Sequence, residues 1–225
     1  MSLPQHGIEL PGVLDLPRGP RALLVMARGI CGTTTDARTR RFSESLCREG
    51  IGTLRIELVD EVEVVDQLVL YDIDLLAERL YGAVCWLGHR SPTAGVPVAV
   101  LGAGTAAAAA LRCAARPDAR VAAVVCHGGR PDLAEESLDY VRVPVLLLAR
   151  TPDRRTTAIL RATRARLRTT SDLILVQHSG DPLQEERETA LTARAIAGWL
   201  IPKARAARIR RSCDVSMPRA AGTQD

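Results

Sequence analysis

Val98-Ala99-Val100-Leu101-Gly102-Ala103-Gly104-Thr105-Ala106-Ala107 is the stretch on which the fold turns. Its first four residues are apolar without alternation, which suits a strand buried on both faces of a parallel sheet. Three small residues follow, and then an Ala-rich run over 104–116 reads as a helix that ends before Pro117. A buried strand feeding a helix through so short a turn is one unit of an α/β sheet.

The same unit recurs on either side. Short apolar runs at 22–27, 53–59, 96–101, 121–125, 143–149 and 173–176 are bounded by Gly, Pro or polar residues. Helical spacing lies between them: Phe42 and Leu46 within 36–49, Leu76, Leu80, Val84 and Leu87 within 72–88, and a strongly basic segment at 155–168. Leu191, Ala195, Ile196, Trp199 and Leu200 mark a closing amphipathic helix that Pro202 is expected to end. The order strand, helix, strand, helix implies an α/β fold, a doubly wound, mostly parallel sheet with helices on both faces. Residues 8–16 read as an antiparallel strand or hairpin leading in. One domain over 1–201 is expected, with 202–225 a basic, disordered tail.

Composition narrows the function classes. Aromatic residues make up 3% of the chain against 47% hydrophobic, so the core is aliphatic. The formal charge is +4, and residues 202–225 hold six basic and two acidic residues, so the body over 1–201 is neutral. The basic excess is therefore weak support for nucleic-acid binding. The arginines of 155–168 read as a solvated helix face, with no interleaved aromatic residues to stack on bases. The six cysteines form no C-x-x-C pair and stand at no zinc-type spacing from a histidine. They read as reduced thiols of a cytoplasmic protein, with no metal site and no cofactor expected. No signal peptide and no membrane span are read from the chain.

Ligands of doubly wound sheets bind at the carboxyl ends of the strands, so the Gly102–Ala106 turn is where chemistry is sought first. One reading is a dinucleotide fingerprint, since Gly102, Gly104 and Ala107 fit G-x-G-x-x-A. It requires an acid at the end of the next strand, and that strand ends Val125-Cys126-His127. The other reading is a nucleophile elbow, G-x-S-x-G, in which a strained Ser sits between strand and helix. Here Gly104 occupies the Ser position: the shape is kept and the hydroxyl is missing.

With this turn, the Leu24–Gly32 segment LVMARGICG, the 72–86 segment DIDLLAERLYGAVCW, the 127–133 stretch HGGRPDL and the 143–149 strand leading to Asp153, the chain resembles the dienelactone-hydrolase-like branch of the α/β-hydrolase superfamily over most of 8–201. The resemblance implies an α/β-hydrolase fold without a large lid. It also implies hydrolysis of esters or lactones by a Ser or Cys nucleophile, an Asp and a His in that chain order. Carried over position by position, the acid is Asp153, the nucleophile position is Gly104, and the His position in Val176-Gln177-His178-Ser179-Gly180-Asp181 falls on Asp181. Arg28 stands where the family has a His before Gly29 in its oxyanion loop. Branch members can be joined to other enzymatic domains, so a protein partner is an expectation as well.

Acyl transfer needs a nucleophile, a base and an orienting carboxylate. Two of the three are replaced here, so the expected function is that of a catalytically inactive or very weak hydrolase-fold protein that binds a ligand or partner. The alternative is a divergent hydrolase of small esters or lactones, and more distantly a nucleotide-binding protein. His178, oriented by Asp153, is the alternative base for an activated water; Thr105 and a Cys126–His127 pair are further substitutes. Thr105, at the N-terminal end of the helix after the elbow, and Arg28 and Gly29, of the oxyanion-loop segment beside it, are the expected binding residues for a small anionic or ester-like ligand. A pairing of Arg28 with Asp181 that merely fills the triad's place is the plainer reading.

Overall fold

The computed structural model describes residues 2–5, 8–28, 36–60 and 63–216. Eight strands form one sheet: β1 (Ser2–Gln5), β2 (Ile8–Asp15), β3 (Ala22–Arg28), β4 (Ile51–Glu57), β5 (Val98–Ala103), β6 (Val121–His127), β7 (Val145–Thr151) and β8 (Ser171–Gln177). Their spatial order is β1-β2-β4-β3-β5-β6-β7-β8. The segment expected over 8–16 as an antiparallel strand or hairpin is the single strand β2, antiparallel to β4 and, outside that range, to β1. Every pairing from β4 through β8 is parallel. Because β4 crosses back outside β3 before β5 returns, the order reverses beside β3. The helices that follow β3 and β5, α1 and α4, cover opposite faces of the sheet, as at the switch point of a doubly wound sheet.

The helices are α1 (Ala37–Arg48), α2 (Gln67–Tyr71), α3 (Ile73–Gly88), α4 (Ala106–Ala115), α5 (Arg154–Arg166) and α6 (Pro182–Ser216), with 3-10 segments at 63–65 and 131–140. Aspartates start four of them, Asp66 accepting from the Leu68 amide at α2. Asp36, Asp72 and Asp153 accept from the amides of Thr39, Leu75 and Thr156, satisfying N–H groups that the first helical turn leaves open.

Strand residues alternate between two core layers. Val98 and Val100 of β5 join Val124 and Cys126 of β6 beneath α3, α4 and the 131–140 segment. Ala99 and Leu101 join Val125 and Leu146 beneath α1 and α6. Five consecutive alanines, Ala106–Ala110, are all fully buried, because α4 lies between the sheet, α3 and the 131–140 segment. A Cβ on Gly102 would come within 2.0 Å of the Ala106 carbonyl oxygen, so helix and strand approach as closely as a glycine permits.

The expected end of the last helix at Pro202 is not what the structure shows. α6 runs through Pro202 to Ser216, with Ala204 packed in the core layer it covers and Ala207 buried. Proline removes one helical hydrogen bond and crowds the carbonyl four residues earlier. That residue is Gly198, which brings no side chain to the crowded turn. Burial of the apolar positions beyond it outweighs the local loss. Residues 217–225 of the expected tail lie outside the described residues.

Candidate functional site

The elbow is present as a shape. Gly104 has φ +64, exposed at the apex between β5 and α4. Left-handed backbone costs a side-chain-bearing residue about 1–2 kcal/mol, so the turn keeps a strained geometry that glycine adopts freely. The Gly104 carbonyl accepts from the amides of Ala107 at 3.3 Å and Arg130 at 3.0 Å. The second of these ties the elbow to the His127-Gly128-Gly129-Arg130 turn that follows β6. A Cβ on Gly129 would lie 2.4 Å from the Gly104 carbonyl oxygen, so this turn is built on glycine for close approach.

Thr105 does not face the site. It is 4% exposed, its hydroxyl has no hydrogen-bond partner, and it makes no side-chain cap for α4. Arg28 ends β3, in register with Glu57 and Ala103. Its side chain and the whole of Gly29 lie outside the described residues, so the expected anion site on Arg28, Gly29 and Thr105 and the expected Arg28–Asp181 pairing are not reached by the structure.

Asp153, the acid expected from the resemblance, lies in the loop after β7, and its carboxylate caps α5. Oδ1 accepts from the Thr156 amide at 2.9 Å, and the Thr156 hydroxyl and amide together hold its pKa below the usual carboxylate range. Asp181 is exposed just before α6. Its amide donates to the Ser179 hydroxyl at 3.2 Å, and its carbonyl accepts from Gln184 at 3.0 Å.

His178 is oriented by a different residue from the one expected. Its Nδ1 lies 3.1 Å from Glu188 Oε2, in the second turn of α6, and its Nε2 lies 3.5 Å from Arg150 Nη1. Glu188 also accepts from the Ser179 amide at 2.8 Å and hydroxyl at 2.7 Å. These bonds, led by the Ser179 hydroxyl, keep the Glu188 carboxylate well ionised. Glu188 sits among Glu185, Glu186 and Arg187, a run that reads from sequence as a solvated helix start. Its spacing of ten residues from His178 was the only available signal, and no periodicity selects it.

The Cys126–His127 pair is separated by the strand alternation. Cys126 is fully buried in the layer under α4, where burial pushes its thiol up to about 12. His127 points to the opposite face, its ring 6.1 Å from that of Phe42.

Between α1, α6 and the carboxyl ends of the strands lies a cavity of about 140 Å³. Met26, Phe42, Leu101 and Val176 make an apolar floor, and Ala103, next to the elbow apex, contributes to the wall. His127, His178, Arg150 and Glu188 line it as well. Arg38, which pairs with Glu185 at 3.1 Å, closes another side. The sheet therefore gathers His178, Glu188 and Arg150 into one pocket beside the elbow, while Asp153 and Asp181 stand outside its lining. No group of three or more metal-ligating side chains occurs among the described residues. Nor is any helix among them long and apolar enough to cross a membrane.

Comparison with known proteins agrees with this architecture. No protein-family model matches the chain. The dienelactone hydrolase of Anabaena variabilis is 32% identical, with a TM-score of 0.79 over 88% of this chain and 94% of that one. Est1E of Butyrivibrio proteoclasticus, a structure with ferulic acid bound, is 15% identical with a TM-score of 0.70 and shares the fold. In Mycobacterium tuberculosis a protein named "Putative phosphoribosyl transferase" is 40% identical over 141 residues, which are 63% of this chain and 32% of that protein. The chain thus spans about a third of the curated relatives it matches. By sheet order, by the elbow and by its likeness over nearly the whole of the Anabaena protein, the chain belongs to the dienelactone hydrolase branch of the α/β-hydrolase superfamily.

Proposed function

We propose that this chain is a hydrolase-fold protein that binds a small ligand at the strand ends and does not carry out acyl transfer. The observation that carries the reading is Gly104 at the elbow apex, with φ +64 and no side chain. A covalent acyl intermediate needs a nucleophilic atom at that point. Loss of the reactive members of a triad costs about 10⁶ in rate, on the order of 8 kcal/mol in the barrier. Asp153, bonded into its own helix start, and Asp181, at the expected His position, support the same reading. The cavity beside the elbow supplies a place for the ligand. Free Cys47, Cys85, Cys113 and Cys126 fit a protein of the cytoplasm. The longer relatives, matched over about a third of their length, support a role beside a second protein module.

One observation favours a second reading. A histidine held by a carboxylate at the cavity is the arrangement of a general base, and His178–Glu188 would serve a divergent hydrolase that activates water. Treatment with a fluorophosphonate serine probe, followed by mass measurement, separates both readings from a serine hydrolase that uses some other hydroxyl. The proposal expects no adduct; a stoichiometric adduct on any residue of the strand-end loops would overturn it.

A further inference from the structure

The arrangement on the polar wall of the cavity is not a remnant of the triad, since its carboxylate comes from α6. Glu188 accepts three hydrogen bonds, from Ser179 twice and from His178 Nδ1. In the neutral tautomer that carries its proton on Nδ1, toward the carboxylate, Nε2 presents its lone pair to the cavity. Arg150 Nη1 donates toward that lone pair across 3.5 Å, the outer limit of a hydrogen bond. Two nitrogens at this spacing can both be reached by one oxygen at roughly 2.8 Å from each.

An oxygen at that point meets a proton acceptor on one side and a cationic donor on the other. Against that neutral ring, a fully ionised carboxylate or phosphate would set a bare lone pair on Nε2. An ether or ester carbonyl has no proton to give. An acidic hydroxyl, as on a phenol or enol, satisfies both partners: its O–H donates to Nε2, and the lone pairs of its oxygen accept from Arg150. If the proton crosses, the O–H bond breaks and an N–H bond forms. The imidazolium then lies against Glu188 and the oxyanion against Arg150, so each charge has a partner. The other ionisable groups on the wall are His127, beside Phe42, and the Arg38–Glu185 pair.

The rest of the cavity sets the size and polarity of the ligand. A volume of about 140 Å³ over Met26, Phe42, Leu101 and Val176 is close to that of apolar protein cavities that take up benzene. We propose that the cavity binds small planar phenols or enols, with the acidic hydroxyl held between His178 Nε2 and Arg150. This rests on the ligand-binding reading above and names the ligand class.

4-Nitrophenol tests it, because its ionised form alone absorbs in the visible. At a pH where the free probe is mostly protonated, the protein should produce a saturable 4-nitrophenolate band. 4-Nitroanisole, with the same body and no O–H, should neither displace the probe nor bind comparably. His178→Gln and Arg150→Gln should each weaken binding at least tenfold. If 4-nitroanisole competes as well as the phenol, the cavity binds apolar rings and the hydroxyl assignment falls, while the ligand-binding reading stands. If neither compound binds, or if His178→Gln binds the phenol unchanged, the proposal is overturned. Ester turnover by the parent protein would instead overturn the non-catalytic reading, and it leaves the spectrum to decide the ligand.

Discussion

His178 and Glu188 face each other across the start of α6, Nδ1 to Oε2 at 3.1 Å, while Asp153, ahead of α5, spends its carboxylate on the Thr156 amide. The histidine and carboxylate that meet at the cavity are therefore not the pair the family pattern assigns. Glu188 is held in place by Ser179 as well as by His178, so the contact belongs to a small network rather than to one flexible pair.

That network fixes a pH dependence. The Ser179 hydroxyl, the Ser179 amide and His178 hold the folded-state pKa of Glu188 below its unfolded value. A carboxylate shifted down adds stability above its unfolded pKa and loses it as pH falls through the folded one. Wild type should therefore lose more stability than Glu188→Gln on acidification from neutral pH to about pH 3. Urea midpoints at the two pH values measure this, and parallel losses in the two proteins would contradict it.

Two glycines at the elbow should respond very differently to alanine. Gly104→Ala places a side chain at φ +64 and should cost about 1–2 kcal/mol. Gly102→Ala brings a Cβ within 2.0 Å of the Ala106 carbonyl and 2.7 Å of the Ala107 Cα, both backbone. Relief requires α4 to move off the sheet, so a loss above about 4 kcal/mol or no folded protein is expected. Guanidinium unfolding of the two variants checks the ranking, and a mild Gly102→Ala would show that the strand–helix approach is looser than described.

The buried thiols should be inert while the protein is folded. Burial pushes Cys113 and Cys126 each up to about 12. The thiolate is the reactive form, so neither should be alkylated by iodoacetamide at pH 8 until denaturant is added. Peptide mass mapping reads this directly. Rapid native labelling of Cys126 would revive a role for it at the strand end.

Arg79 secures the loop after β4. It is 4% exposed and donates to both carboxylate oxygens of Glu63, at 2.6 and 2.7 Å, and to the Leu58 carbonyl at 2.7 Å. The segment it holds carries Val65 and Leu68, each 83% exposed. Arg79→Met should cost about 2–3 kcal/mol through lost charge-assisted hydrogen bonds. It should also speed proteolysis within 63–71. Unchanged cleavage there would mean that the loop is held by something else.

The sheet and its helices were legible because buried parallel strands leave short apolar runs and helices leave 3.6-residue spacing. The reading of 36–49 became α1 with Asp36 as its cap, and that of 72–88 became α3 with Asp72 as its cap. The end of α6 was not legible, because Pro202 is a local stop signal and the burial of Ala204 and Ala207 that overrides it is tertiary. At the site, the tight glycine turn between β5 and α4 could be read from Gly102–Ala106, since that turn is continuous in sequence. The partner of His178 could not, because Glu188 comes from another element and looks like any acid on a helix surface. The separation of Cys126 from His127, offered above as a pair, follows from strand alternation.

The central claim is that the elbow is intact and its reactive atoms are gone. Hydrolysis of short 4-nitrophenyl esters, followed for the parent beside Gly104→Ser/Asp181→His, tests it most directly. The account predicts no turnover by the parent above the buffer rate, with measurable turnover by the double variant. Clear turnover by the parent, abolished in Asp153→Ala, would contradict it.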